Sequence, residues 1–248
     1  MQLNSFFRDH PKVAVAFSGG TDSAFLLYEA KVCGAEVCAY YVKTAFQPAF
    51  ELQDARRLAD TLGVRLEVLD ADILSDPQIT DNPGNRCYFC KKKLFGILTE
   101  AAAKDGFPVL LDGTNASDDE GDRPGMRALR ELSVRSPLRE CGLTKEQIRK
   151  LSKEAGLFTW DKPAYACLAT RIPTGTPITE KALHDTEQAE TLLFSLGFRD
   201  FRVRMYHGAA RIQVREEALP LILTHRETIL TELKKRYPAI LLDLEVRA

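Results

Sequence analysis

No apolar run in the 248 residues reaches the roughly 18 consecutive positions that a membrane span requires, and no charged-then-apolar leader opens the chain. The expectation is a cytoplasmic protein with no membrane partner. A surplus of either charge is also missing: 34 Lys and Arg stand against 35 Asp and Glu, so no global field draws the chain to nucleic acid. Histidine is scarce, and none of the four (His10, His184, His207, His225) lies beside a cysteine motif, so local spacing spells out no closed Cys/His zinc site. The Gly-x4-Gly-Lys-Ser/Thr spacing of a Walker loop is absent, as are internal repeats and low-complexity tracts. Without a secretory signal, the six cysteines read as reduced thiols or metal ligands rather than disulfides. A chain of this length can bury one large core and a smaller one beside it.

What is present begins with an apolar run over 13–17, of strand length. It ends in Ser18-Gly19-Gly20-Thr21-Asp22-Ser23, which leads into a helical pattern at Ala24, Leu26, Leu27 and Ala30. Adjacent glycines let backbone N–H groups approach a ligand with no Cβ in the way. Ser18, Thr21 and Ser23 add hydroxyls, and the start of the following helix carries about half a positive charge. Strand, glycines and helix start together make a cradle for phosphate. The hexamer resembles the PP-loop of the ATP pyrophosphatases, a family that grips the leaving pyrophosphate and transfers AMP to a substrate oxygen.

Beyond it, strand and helix patterns alternate. Residues 36–42 read as a second strand, 48–62 as a helix stopped by Gly63, and 64–69 as a third strand. A helix over 88–103 and a short strand over 108–111 follow. This alternation predicts an α/β fold with a doubly wound, mostly parallel sheet and ligands outside the C-terminal ends of the strands. Ser18-Gly19-Gly20, Lys43-Thr44, Asp70 and Asp112-Gly113-Thr114 all follow strands and share that rim. A polar loop over 112–127 is long enough to be functional or disordered. Thr144 with Gln147 predicts a capped helix over 144–155. Residues 161–179, rich in Pro, Gly and Thr, hold Cys167 and Arg171 and read as a binding loop that becomes a linker. Thereafter come a helix over 180–196, strands over 201–205 and 211–214 about His207-Gly208, a helix over 218–236 and a strand over 240–246. The expected organisation is a main domain over 1–177 and a small α+β domain, ordered α-β-β-α-β, over 178–248.

Cys87-Tyr88-Phe89-Cys90 opens the 88–103 helix, and taken alone it has three readings: half of a zinc site, a redox pair, or part of an iron–sulfur ligand set. Cys167 is the other cysteine in a distinctive loop. Three thiolates on a cubane cluster would leave one iron open to carry a sulfide or a substrate atom. Cys33, Cys38 and Cys141 read as small structural thiols.

Several motifs then coincide in order: Ser18-Gly-Gly-Thr-Asp-Ser23, Asn85-Arg-Cys-Tyr-Phe-Cys-Lys91, Asp112-Gly-Thr-Asn115, Arg123-Pro-Gly125, Ser136-Pro-Leu138 and Ala166-Cys-Leu-Ala-Thr-Arg-Ile-Pro173. With the small C-terminal module they resemble the LarE family, the ATP-dependent sulfur transferases of nickel-pincer nucleotide biosynthesis. The resemblance implies that a carboxylate of pyridinium-3,5-dicarboxylate mononucleotide is adenylylated, and that sulfur then displaces AMP to leave a thiocarboxylate. In members with one cysteine, the one matching Cys167 gives up its sulfur and ends as dehydroalanine. Members with three are thought to hold a 4Fe–4S cluster, and Cys87, Cys90 and Cys167 match that pattern.

On this resemblance ATP and Mg2+ are expected at Ser18, Gly19, Gly20, Asp22 and Ser23, with Gly113, Thr114 and Asn115 lining the nucleotide. Arg171, Arg202 and Arg204 are candidates for the substrate phosphate or carboxylates, because Arg meets both with a rigid fork. Arg202 and Arg204 share a strand face by the period of two. Glu187 and Glu190, at i and i+3 on a helix, are candidate metal ligands, as glutamates of this region are in the family. Implied partners are a small nucleotide substrate, a sulfur donor or a nickel-insertion protein downstream, and further copies of the chain. The rival readings are a PP-loop tRNA thiolase, which calls for a basic groove, an amide-forming ligase, which calls for an ammonia source, and a non-catalytic nucleotide sensor.

Overall fold

The computed structural model describes residues 2–118 and 124–247. Arg123, and with it part of the polar loop expected over 112–127, lies outside the described residues. By internal contacts the chain divides into two units, Met1–Ile73 with Asn85–Ala164, and Leu74–Gly84 with Tyr165–Ala248. The division falls after Ala164 rather than after 177. The Cys167 loop therefore groups with the C-terminal unit, and so does a short excursion, 74–84.

In the first unit α1 (Leu3–Asp9) precedes an alternation of β1 (Lys12–Ala16), α2 (Thr21–Val32), β2 (Glu36–Lys43), α3 (Ala49–Leu62) and β3 (Arg65–Asp70). The excursion, with the four-residue helix α4 (Pro77–Thr80), comes next. The chain then returns with α5 (Arg86–Lys104), β4 (Leu110–Leu111), α6 (Pro124–Glu131), α7 (Pro137–Glu140) and α8 (Lys145–Glu154). The sheet order is β3-β2-β1-β4, with every neighbouring pair parallel.

Val13, Ala14 and Val15 in β1 and Cys38 to Val42 in β2 are all buried, which is why these strands are continuous apolar runs rather than alternating ones. Helix α2 buries Ala24, Phe25, Leu26, Leu27 and Ala30, and each Leu contributes about 1.5–3 kcal/mol. Helix α3 ends at Gly63 in the left-handed region (φ 59°). Helix α8 opens on a capping box: the Thr144 hydroxyl accepts from Gln147 N–H, and the Gln147 side chain accepts from Thr144 N–H. Such a cap contributes about 1 kcal/mol. Strand order reverses between β1 and β4, and in a doubly wound sheet that reversal marks the ligand crevice. The loops at 18–23 and 112–115 leave those two strands.

The second unit holds α9 (Glu180–Ser195), β5 (Phe201–Tyr206), β6 (Ala209–Val214), α10 (Leu219–Thr224), α11 (Arg226–Leu233) and β7 (Ile240–Leu242). Strands β5 and β6 form a hairpin whose two loop residues, His207 and Gly208, both have positive φ (48° and 82°), as a type I′ turn requires. Strand β7 adds parallel to β6 and is confined to three residues of the expected 240–246. The helix expected over 218–236 is interrupted at His225 (φ −100°, ψ 13°). Ala189 and Leu193 of α9 pack with Phe198, Phe201, Val203, Ile212, Ile229 and Leu233 as a separate core. No helix among the described residues is long and apolar enough to cross a membrane.

Candidate active site

The PP-loop closes on its own hydroxyls. Ser18 Oγ lies 3.1 Å from Ser23 Oγ, Gly20 N–H donates to Ser18 Oγ (3.4 Å), and Ser23 Oγ donates to Gly20 O (3.3 Å). Gly19 has φ +72°, and a Cβ there would come 3.1 Å from Glu51 O, so conformation and space both demand glycine. Gly113 shows the same close approach from the β4 loop: a Cβ would meet Ser23 N at 2.9 Å. The side chains that follow brace this loop. Thr114 Oγ1 and Ser136 Oγ (2.5 Å) donate to the two oxygens of buried Asp112, and Asn115 Oδ1 accepts from Ser117 N–H (2.8 Å).

Sequence reasoning missed two cations. Lys145 Nζ lies 2.5 Å from Asp22 Oδ2, while Asp22 Oδ1 is buried and accepts no hydrogen bond. Lys162 Nζ donates to Gly19 O (3.3 Å) and to Asp54 Oδ2 (2.7 Å). Thr21 Oγ1 donates to Thr159 O (2.8 Å), and Arg149 donates to Trp160 O (2.7 Å) and Lys162 O (2.8 Å). The stretch 159–162 is thereby strapped to the phosphate loop. One signal for Lys145 was legible: a cation in the first turn of a helix opposes its dipole, at a cost of roughly 0.3–1 kcal/mol. A position that breaks a local rule points to a task other than helix stability. The orphaned oxygen of Asp22 suits a divalent cation, which supplies the missing partner of a buried carboxylate.

Cys87 and Cys90 lie in the first turns of α5, the former exposed and the latter half-buried. Arg86 Nη2 is 3.9 Å from Cys87 Sγ, and Tyr88 OH donates to Glu131 of α6 (2.7 Å). None of the six cysteines forms a disulfide. Among the described residues no group of three or more His, Cys, Asp or Glu side chains is placed to hold a metal ion.

In the second unit Cys167 sits at the start of a 3-10 turn, Leu168–Arg171, and its carbonyl accepts from Thr170 N–H (3.0 Å) and Thr170 Oγ1 (2.8 Å). Arg171 is 1 % exposed, and its Nε and Nη2 donate to the two oxygens of Glu190 (2.7 and 3.2 Å). Tyr165 OH and Val203 N–H (2.9 Å) donate to the same carboxylate. Four donors meet at Glu190, whose carboxylate is the buried ion-pair partner of Arg171. The helix face read as one pair is split by packing: Glu190 is buried and Glu187 half-buried.

Arg202 and Arg204 do share a strand face, and it is not a solvated one. Arg202 is 5 % exposed, donates to Phe201 O (2.5 Å) and stands 5.3 Å from the Tyr165 ring centroid. Arg204 donates to Gln213 Oε1 (2.6 Å) and Thr170 O (2.7 Å). Burial first, then the charges of Arg171 and Arg247, push Arg202 down to about 10, and the same causes lower Arg204. Cations that burial and neighbouring positive charges disfavour make a favourable setting for an anion.

The family model of the queuosine biosynthesis protein QueC matches residues 12–82, the stretch that carries the PP-loop. The tRNA-specific 2-thiouridylase MnmA of Pseudothermotoga lettingae is 29 % identical over 187 residues, 61 % of this chain and 54 % of its own length. An uncharacterised protein of Synechocystis sp. is 37 % identical over 221 residues, 88 % of this chain and 81 % of its own. The pyridinium-3,5-bisthiocarboxylic acid mononucleotide synthase of Lactiplantibacillus plantarum is 34 % identical over 234 residues, 94 % of this chain and 85 % of its own. A likeness to that synthase over 94 % of the chain places it in the LarE family of PP-loop sulfur transferases.

Proposed function

We propose that the chain uses ATP to activate a carboxylate of a pyridinium-3,5-dicarboxylate mononucleotide and replaces the leaving group by sulfur, yielding the kind of thiocarboxylate named in its L. plantarum relative. The observation that carries this reading is the phosphate loop at the sheet's strand-order reversal, with Lys145 and Lys162 brought to it. The N–H groups of 18–20 and the start of α2 receive the pyrophosphate, and the two lysines supply the charge that a Walker loop draws from its own. Asp22 would hold the magnesium that accompanies the nucleotide, and the ion would neutralise charge on the departing pyrophosphate.

A substrate carboxylate oxygen attacks the α-phosphorus, the bond to pyrophosphate breaks, and an acyl–AMP anhydride forms. Arg202 and Arg204 hold the substrate's phosphate or its second carboxylate. The Cys167 thiolate then attacks the acyl carbon and AMP leaves. Loss of the Cys167 Cα proton with cleavage of its Cβ–Sγ bond leaves sulfur on the product and dehydroalanine in the chain.

With ATP, Mg2+ and the dicarboxylate mononucleotide, the wild type is expected to release pyrophosphate, and its Cys167 peptide to lose the mass of hydrogen sulfide. Cys167→Ala should retain ATP–pyrophosphate exchange and form no thiocarboxylate. Absence of pyrophosphate, or full thiolation by Cys167→Ala, overturns the reading. Stoichiometric iron and acid-labile sulfide after anaerobic purification, with the Cys167 mass unchanged by turnover, would move the sulfur onto a cluster held by Cys87, Cys90 and Cys167.

A further inference from the structure

We infer that Asn82 is a positioning residue for sulfur transfer: its side chain clamps the loop that carries Cys167 and so sets where the thiol is held. The inference rests on the reading of Cys167 as sulfur carrier. Asn82 belongs to the excursion 74–84, which groups by its contacts with Tyr165–Ala248 although first-unit chain flanks it on both sides. It is 1 % exposed and has φ 55°, in the left-handed region that Asn tolerates better than other side chains.

Asn82 Nδ2 lies 2.8 Å from Pro173 O, 3.1 Å from Thr176 O and 3.3 Å from Ile172 O. Its own carbonyl accepts from Gly175 N–H (2.9 Å), and Thr80 O accepts from Ile178 N–H (2.7 Å). The stretch 172–178, directly after the Cys167 turn, is thus bonded to 80–82. The turn itself is anchored by Arg171 on Glu190 and by Arg204 on Thr170 O. Leu168, Ala169 and Ile172 are buried between these two attachments. A segment rich in Pro, Gly and Thr has little regular structure to hold it, so side-chain bonds to its carbonyls do that instead. A nucleophile needs such support, because misplacement by about 1 Å can cost a hundredfold in rate.

The amide suits the position. Its N–H groups serve three carbonyls, whereas Asp would turn an oxygen toward all three. Glycine would keep the backbone conformation and remove only the clamp.

The test compares wild type, Asn82→Gly and Asn82→Asp. ATP–pyrophosphate exchange, which draws on the phosphate loop and on Arg202 and Arg204 but not on Cys167, should stay within about twofold in kcat and KM, while thiocarboxylate formation falls about tenfold or more. Iodoacetamide should alkylate Cys167 at an altered rate in both variants, and melting curves should show both folded. Wild-type thiolation by Asn82→Gly would overturn the inference, and so would exchange falling in step with thiolation. A wild type without exchange would instead overturn the functional reading, which keeps the two failures apart.

Discussion

Glu190→Gln should be among the most damaging single-atom changes in the second unit, for a reason the geometry makes quantitative. Glu190 and Arg171 have side chains 2 % and 0 % exposed, and the two bonds between them (2.7 and 3.2 Å) are joined by donors from Tyr165 and Val203. Burial alone pulls the Arg171 pKa down, but Glu190 more than offsets this and holds it above its ordinary value. Glutamine removes the charge and turns an NH2 toward groups that are already donors, leaving a buried guanidinium uncompensated. Breaking a buried pair in this way costs about 3–5 kcal/mol. A small domain is stable by only about 5–15 kcal/mol, so the loss is a large fraction of the whole. The exposed pair Lys43–Asp70, 3.5 Å apart with side chains 57 % and 81 % exposed, is the contrast, at about 0–1 kcal/mol.

Urea unfolding of the full chain, followed separately for each transition, measures the difference. The double variant Arg171→Met/Glu190→Leu should recover part of the loss, because it removes both charges but leaves Tyr165 OH and Val203 N–H without their acceptor. If Glu190→Gln unfolds within about 1 kcal/mol of wild type, the ion-pair assignment is wrong. If divalent cations stabilise the wild type and not Glu190→Gln, the carboxylate is a metal ligand after all.

Lys145→Met should lower ATP–pyrophosphate exchange by about a hundredfold, the scale of removing one preorganised charge from a leaving group. Because Lys145 opposes the dipole of α8, the same variant should melt no lower than wild type, and a joint fall of activity and stability would refute the assignment. Asp200 is raised by burial, but bonds and charges from Arg215 and Arg247 outweigh that and hold its carboxyl below the usual range. The folded chain therefore binds that proton more weakly than the unfolded one. Its stabilising contribution is complete above about pH 4 and is lost as the pH falls further. Unfolding profiles between about pH 5 and 3 should flatten in Asp200→Asn, and an unchanged slope would contradict the pairing.

The sequence by itself determined the parallel α/β sheet, the phosphate loop, the Thr144 cap and the helix stop at Gly63. Each of these follows from short-range physics: the period of the apolar residues, a glycine where φ must be positive, a hydroxyl facing a bare N–H. Tertiary structure alone decided which distant groups meet. Lys145 and Lys162 reach the phosphate loop across 123 and 143 residues, and the spacing of neither lysine announces it. The same spacing of Glu187 and Glu190 was compatible with a metal pair or a wet helix face, and only tertiary packing buried Glu190 and brought Arg171, Tyr165 and Val203 to it. Asn82, which looks locally like any turn residue before Pro-Gly, owes its part to carbonyls about ninety residues away. A polar side chain's task is set by the donors and acceptors that packing brings around it, and packing is not encoded in any local window.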